Sequence, residues 1–311
     1  SALPRLTQMV TRDYGSWEIR RAAALALGTV GIDFESGQLD PGVIDALIYA
    51  LRDTCSQVRL QALVSLGSLG TPKRSAHHQK VKVVVETAFK NPKQNPLVTI
   101  WARVLWVQYF STSKVKHEPT HFGEIAKMLK SPYEVNVRVN AAQALATLQA
   151  KMNIPNLIDV VKEDSEDQAA LAAANALAAM VEHVKDEHIR SLAGLLGPSE
   201  KKELRIRAPQ VFAMFGPKAK PALDDLIAAL QEQEKQIDKD GKLKDKEFIL
   251  AVIDCFGAMD QAAYRARPEL LRLAQHKDDD IQYAAKAVLK FWNRPAAAAK
   301  AASAENAEGN R

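Results

Sequence analysis

Cysteine is nearly absent: the 311 residues hold two, Cys55 and Cys255. Two thiols make no disulfide framework, and Cys255, inside the apolar run "AVIDCF", reads as a small core residue. Aromatic residues are scarce at 6%, although apolar residues reach 47%. The apolar share therefore rests on Ala, Leu and Val, a mix suited to close-packed helices because Ala loses no side-chain entropy and Leu fills gaps. No apolar run approaches the roughly 18 residues that span a membrane, so no membrane span is expected. The N-terminus has no basic-then-apolar leader pattern. It opens at Ser1 rather than Met, which points to a removed leader, a longer parent or a cloning boundary. The expected location is soluble, either cytoplasmic or exported if a leader preceded Ser1. There is no glycine-rich phosphate loop and no G-x-S-x-G. No catalytic group and no cofactor is expected.

What the sequence does have is a repeat. "SWEIRRAAALALGTVG" at 16–31 matches "CSQVRLQALVSLGSLG" at 55–70 at a constant offset of 39 residues. Ile19-Arg20 aligns with Val58-Arg59, Ala23 with Ala62, Leu27 with Leu66, Gly28 with Gly67 and Gly31 with Gly70. The frame returns at Val137-Arg138 and at Leu204-Arg205, with weaker copies around Trp106, Leu177, Phe256 and Leu289. An amphipathic segment precedes each copy. Six of these segments open on proline (Pro4, Pro41, Pro119, Pro155, Pro221 and Pro268), which suits the first helical turn. The unit is thus helix, short turn, helix. Eight units fit, ending near Trp292. From Pro295 the Ala-rich "PAAAAKAASAENAEGNR" has no further periodicity, and 295–311 reads as a frayed or disordered tail.

The Val/Ile-Arg, Ala-Ala and Leu-Gly residues of the second helix resemble HEAT repeats, in particular the short bacterial type related to the phycobilisome-lyase HEAT-like family. The resemblance covers nearly all of residues 1–294. It implies an all-α, right-handed α-solenoid of about eight helical hairpins, with first helices on the convex face and second helices on the concave face. It also implies that each signature Arg pairs with an acidic turn residue of an adjacent unit. Arg20, Arg59, Arg138 and Arg205 keep that Arg, whereas Thr99, Ala170, Ile249 and Gln282 replace it. The ladder should therefore be broken at four junctions. Pro209, inside the sixth second helix, should kink or delay it.

Counting one, two, five and nine residues from the signature position predicts the concave lining. It comprises Arg21 and Leu25; Leu60, Gln61 and Val64; Ile100, Trp101, Val104 and Gln108; Val139, Asn140 and Gln143. It continues with Leu171 and Asn175; Arg207, Gln210 and Met214; Asp254; Tyr283 and Phe291. Amides among apolar residues suit an extended peptide, so the expected function is a non-catalytic scaffold for a protein or peptide partner. The alternative is nucleic acid. Residues 72–117 hold nine Lys or Arg against Glu86 alone, with Trp101, Trp106, Tyr109 and Phe110 interleaved. Residues 155–200 are acidic, so charge is uneven along the chain.

Two motifs invite a metal. "HEPTH" at 117–121 has the H-E-x-x-H spacing of a zinc helix, but Pro119 inside it fits better as the opening of the fourth unit. The HEAT-like hydroxylases that hold iron need several His-Glu pairs, and the chain has one, His117-Glu118. "QIDKDGKLKDKEF" at 236–248 resembles a calcium loop, with Gly241 at the turn and Asp238, Asp240 and Glu247 as ligands. Gln236 at the first ligand position and four lysines oppose a divalent ion, so any binding there should be weak.

Overall fold

Proline and aspartate set most of the helix starts. Pro41 is the first residue of α3 (Pro41–Ala50), and Asp40 before it accepts a hydrogen bond from Gly42 N at 2.7 Å. Pro4, Pro119, Pro155 and Pro268 occupy the second positions of α1 (Leu3–Thr11), α7 (Glu118–Ala126), α9 (Ile154–Glu163) and α15 (Arg267–Leu273). First-turn N–H groups have no intrahelical acceptor, so proline loses nothing there. Pro221 falls instead in a 3-10 turn ahead of α13 (Leu223–Glu234). Pro96 opens a second helix, α6 (Pro96–Phe110), a start the repeat frame does not predict.

The remaining helices are α2 (Trp17–Val30), α4 (Ser56–Leu69), α5 (Ala76–Lys90), α8 (Val135–Thr147) and α10 (Asp167–Ala179), then α11 (Asp186–Ala193), α12 (Lys202–Phe215), α14 (Lys246–Met259) and α16 (Asp279–Trp292). The structure, a computed structural model, describes residues 2–11, 15–31, 40–69, 76–91, 93–110, 118–197, 202–236 and 245–293. The tail assigned to 295–311 lies outside these residues. Among the described residues the chain forms eight successive helix pairs and no strand. Two compact units result: Ser1–Val160 with Ser165–Ala176, and Val161–Asp164 with Leu177–Arg311.

Within each unit the second helices stack on one another. In the first, α2 packs on α4, α4 on α6 and α6 on α8; in the second, α12 packs on α14 and α14 on α16. The signature glycine sets how closely they meet. A Cβ on Gly28 would lie 2.6 Å from both Cβ and Oγ of Ser65, so only glycine admits α4 at this distance. Ser65 Oγ in turn donates to Ala24 O at 2.9 Å. Tyr109 of α6 repeats the device against α4, its hydroxyl donating to Leu66 O. Burial drives the Tyr109 phenol above its usual pKa and keeps it a neutral donor. In the second unit, Gly257 of α14 takes Val288 of α16 in the same way.

The arginine ladder is partly ionic and partly neutral. Arg20 grips Asp53 of the next turn bidentately, at 2.6 and 3.0 Å. Burial raises the Asp53 carboxyl, but the Arg20 hydrogen bond, the Cys55 N–H and the charges of Arg20 and Arg59 outweigh it and hold it below the usual range. Arg59 donates to Asp53 O, Thr54 O and Gln94 Oε1 at 2.6, 2.8 and 2.9 Å. Arg138 caps its own turn at Tyr133 O, 2.6 Å away. Arg205 meets Gln233, whose amide oxygen, turned to the guanidinium, accepts from Nη1 at 3.2 Å and from Nη2. At Arg59 and Arg205, amides and backbone carbonyls take the place of an acidic partner in direct contact. Of the two effects expected of Pro209, delay of the helix is not seen: α12 runs unbroken from Lys202 to Phe215 with Pro209 buried in the core.

The glycine argument predicts opposite signs at two glycines. Gly28→Val should destabilise the protein by about 1–3 kcal/mol or more, because α4 has no room to retreat. Gly123→Ala in α7, where an added Cβ meets nothing within 4 Å, should stabilise it by about 0.5–1 kcal/mol. Denaturant melts of the two variants check this.

Candidate protein-binding face

The frame that aligns the repeats also brings polar side chains together on the second-helix face of the first unit. Between α8 and α10 lies a groove of about 510 Å³. Val139, Ala146, Leu171, Ala172 and Ala176 give it an apolar floor, and Gln143, Thr147, Gln168 and Asn175 supply amides and a hydroxyl. No charged side chain lines it. Leu171 is 53% exposed, a large apolar side chain left to solvent. Val139, Gln143, Leu171 and Asn175 are sequence-predicted lining residues. Thr147 and Gln168 are not, although Thr147 stands nine residues from Arg138, an offset the frame already contains.

Elsewhere the predicted lining divides by burial. Arg21, Gln108, Gln210, Asp254 and Tyr283 are exposed, as are Leu25, Val64, Met214 and Phe291. Leu60, Gln61, Trp101 and Asn140 are half-buried. Trp101 and Asn140 engage each other: Trp101 Nε1 donates to Asn140 Oδ1 at 2.9 Å, one repeat away. Asn140 Nδ2 donates back to Asn136 O at 2.8 Å, so this amide is oriented by the protein itself. Three residues do not line the face. Ile100 and Val104 are core residues, because α6 turns its aliphatic side chains between neighbouring helices. Arg207 is buried and donates to Val161 O and Asp164 O at 3.3 and 2.7 Å, serving carbonyls at the C-terminal end of α9.

The basic stretch spends much of its charge internally. Lys80 pairs with Asp45 at 3.0 Å and Lys90 with Glu86. Arg103 sits 5.0 Å over the Phe89 ring and 3.9 Å from Glu124, while Lys82 stands 5.6 Å over Trp106. Phe89, Trp106, Phe110, His78 and His121 form one aromatic cluster around these cations. His121 is therefore a core residue, 3.4 Å from Arg103 Nη1, rather than half of a surface metal pair. His117 lies outside the described residues, and α7 starts at Glu118, so Pro119 opens the fourth pair as expected. Lys73, Arg74, Lys114 and Lys116 also lie outside them.

Of the calcium-type loop, Asp238, Asp240 and Gly241 lie outside the described residues. Its end is described, and it is engaged in helix starting. Asp245 caps α14, accepting from Phe248 N at 3.4 Å, and Glu247 pairs with Lys202 at 2.9 Å. Among the described residues no group of three His, Cys, Asp or Glu could hold a metal ion. Cys255 is fully buried, its thiol pushed up to about 12 by desolvation and by Asp254, which makes it inert.

The Trp101–Asn140 bond links adjacent repeats at one point. Trp101→Phe keeps the ring and removes the donor, so it should cost about 1 kcal/mol. In a double-mutant cycle with Asn140→Ala, most of that cost should vanish. Additive losses in urea melts would contradict a direct bond.

A family model of HEAT repeats matches residues 3–78. A comparison with curated proteins finds no match. Among solved structures, a Kap121p mutant matches with a TM-score of 0.60 at 11% identity, over 93% of this chain and 33% of that one. The karyopherin Kap121p bound to the extreme C-terminus of the protein phosphatase Cdc14p gives 0.59 at 11%, over the same shares. Importin beta gives 0.54 at 15%, over 91% of this chain and 40% of that one. The chain thus spans about a third of the length of the first structures it matches, and at these identities the likeness is one of fold. No described helix is long and apolar enough to cross a membrane. The chain carries HEAT repeats over residues 3–78, and its fold is the all-α fold of the HEAT-type solenoids.

Proposed function

We propose that the protein is a non-catalytic scaffold that holds a protein or peptide segment on its second-helix face, with the α8/α10 groove as the principal contact. The observation that carries this reading is the groove's chemistry: an exposed Leu171 and small apolar residues, edged by Gln143, Gln168 and Asn175, with no charge. Side-chain amides both donate to and accept from an extended backbone, and the apolar floor takes alternate side chains. Arg21, Gln61, Trp101, Gln108 and Asn140 extend the same kind of lining in the first unit, and Gln210 and Tyr283 in the second. Kap121p, which shares the fold, is described with a bound C-terminal segment of another protein, which makes a segment a reasonable guest.

A polyanion fits less well. Lys80 and Lys90 are already paired, Arg103 is inside, and α5, which carries Lys80, Lys82 and Lys90, is a first helix. Capture from a lysate by the wild type and by Leu171→Asp and Gln143→Ala variants separates the two readings. Loss of the captured protein set in both variants, with little dependence on salt, supports the scaffold. Retention in both, together with salt-steep nucleic-acid binding abolished by charge reversal at Lys73, Arg74, Lys80 and Lys82, supports the alternative.

Calcium at 236–247 is a lesser proposal, with Asp238, Asp240 and Glu247 as ligands. Glu247 would have to leave Lys202 to bind. Calorimetry should then find a site no tighter than about millimolar, lost in Glu247→Ala. Heats identical in the two proteins would end the idea.

A further inference from the structure

The first helices of the first unit form a layer of their own, in which α1 packs on α3 and α3 on α5. Between α3 and α5 this layer opens into a groove of about 520 Å³, a size that holds ligand groups elsewhere. Sequence spacing explains its walls. Asp45, Ile48, Tyr49 and Arg52 share one face of α3 and the turn that ends it, and Lys80, Val83 and Val84 of α5 form the facing stripe.

The groove has three parts in order along α3. At one end Lys80 pairs with Asp45 at 3.0 Å, so that end carries no net charge. The middle is apolar: Ile48 and Val84 are buried as its floor, while Tyr49 and Val83 stand 52% and 51% exposed beside it. Arg52 supplies the other end. It is exposed, and its guanidinium has no hydrogen bond or ion pair. The acids of α3, of the turn after it and of α5 are all engaged elsewhere: Asp45 with Lys80, Asp53 with Arg20 and Glu86 with Lys90. An apolar seat thus lies next to an unused positive charge.

We propose that this groove docks a segment of another protein in which an apolar side chain stands beside an acidic one, the apolar group on Tyr49 and Val83 and the carboxylate on Arg52. Charge complementarity selects this guest. A guanidinium and a carboxylate match as two parallel hydrogen bonds, and apolar walls that exclude water on one side strengthen the pair. A basic segment is repelled by Arg52 and finds no uncommitted acid in the groove. A wholly apolar segment would cover the guanidinium and give it no acceptor. The groove belongs to the first-helix layer, so this inference does not rest on the second-helix face proposed above, and one chain can hold two partners at once.

An array of random peptides, probed with the full chain at roughly 0.15 M salt, tests this. The wild type should select peptides in which Asp or Glu lies within one helical turn of Leu, Ile, Met or Phe. In fluorescence anisotropy with one selected peptide, Tyr49→Ala and Arg52→Ala should each weaken binding about tenfold or more, the loss expected of an anchor. Arg52→Glu should exchange the acidic preference on the array for a basic one, an outcome that misfolding does not produce. Lys93→Glu, the same change of charge at an exposed site outside the groove, should leave the preference as it is, and so should Leu171→Asp in the α8/α10 groove. A wild type that selects no peptide, or whose selected peptides show no acidic enrichment, overturns the proposal. So does an acidic preference that survives Arg52→Glu, that Lys93→Glu abolishes equally, or that is lost in Leu171→Asp.

Discussion

The approach of one second helix to the next is the constraint from which the rest follows. At the α2/α4 crossing, a glycine lets Ser65 come so near that its hydroxyl reaches the Ala24 carbonyl. Dispersion and area burial gain from that closeness, because the many weak contacts of a packed interface fall off steeply with separation. The signature Arg is fixed by the same stack. Arg20 can meet Asp53 only because α2 and the turn before α4 are held in register. The offset of 39 residues is therefore the distance along the chain between equivalent points on two surfaces that must fit.

Much of this was legible in the sequence. The glycines, the alanines and the Val/Ile-Arg pair mark the second helices, and the prolines mark four first helices at their second residue and one at its first. What the sequence did not disclose was rotation about each helix axis. Ile100 and Val104 share the spacing of the exposed Arg21 and Leu25 but are buried, because α6 carries an aromatic cluster that shifts which side chains fill the interface. One residue turns a side chain by about 100°, so a frame that is right for small second helices errs where Trp and Tyr replace Ala and Leu. Arg207 failed differently. A charged residue two places from the signature position read as open, but its guanidinium found the carbonyl ends of α9.

The site was partly legible for the same reason. Gln143, Asn175 and Leu171 lie on helices of small residues, and there the frame holds. Trp101 and Asn140 stand at the same offset in successive repeats, and their mutual hydrogen bond was not foreseeable from an offset list. That bond changes their meaning: an amide whose oxygen already accepts from an indole has less to offer a ligand than Gln143 or Asn175. No aromatic side chain lines the α8/α10 groove, and its apolar floor and amides stay open.

Neutral acceptors in the arginine ladder carry the last consequence. Where Arg20 has Asp53, Arg59 has Gln94 and two backbone carbonyls, and Arg205 has Gln233 and the Phe248 face. A buried ion pair must recover the desolvation of two charges, whereas an arginine on amides and carbonyls desolvates only one. The direct contacts of Arg59 and Arg205 are thus directional hydrogen bonds to neutral groups, and directional bonds fix register without demanding an acidic acceptor.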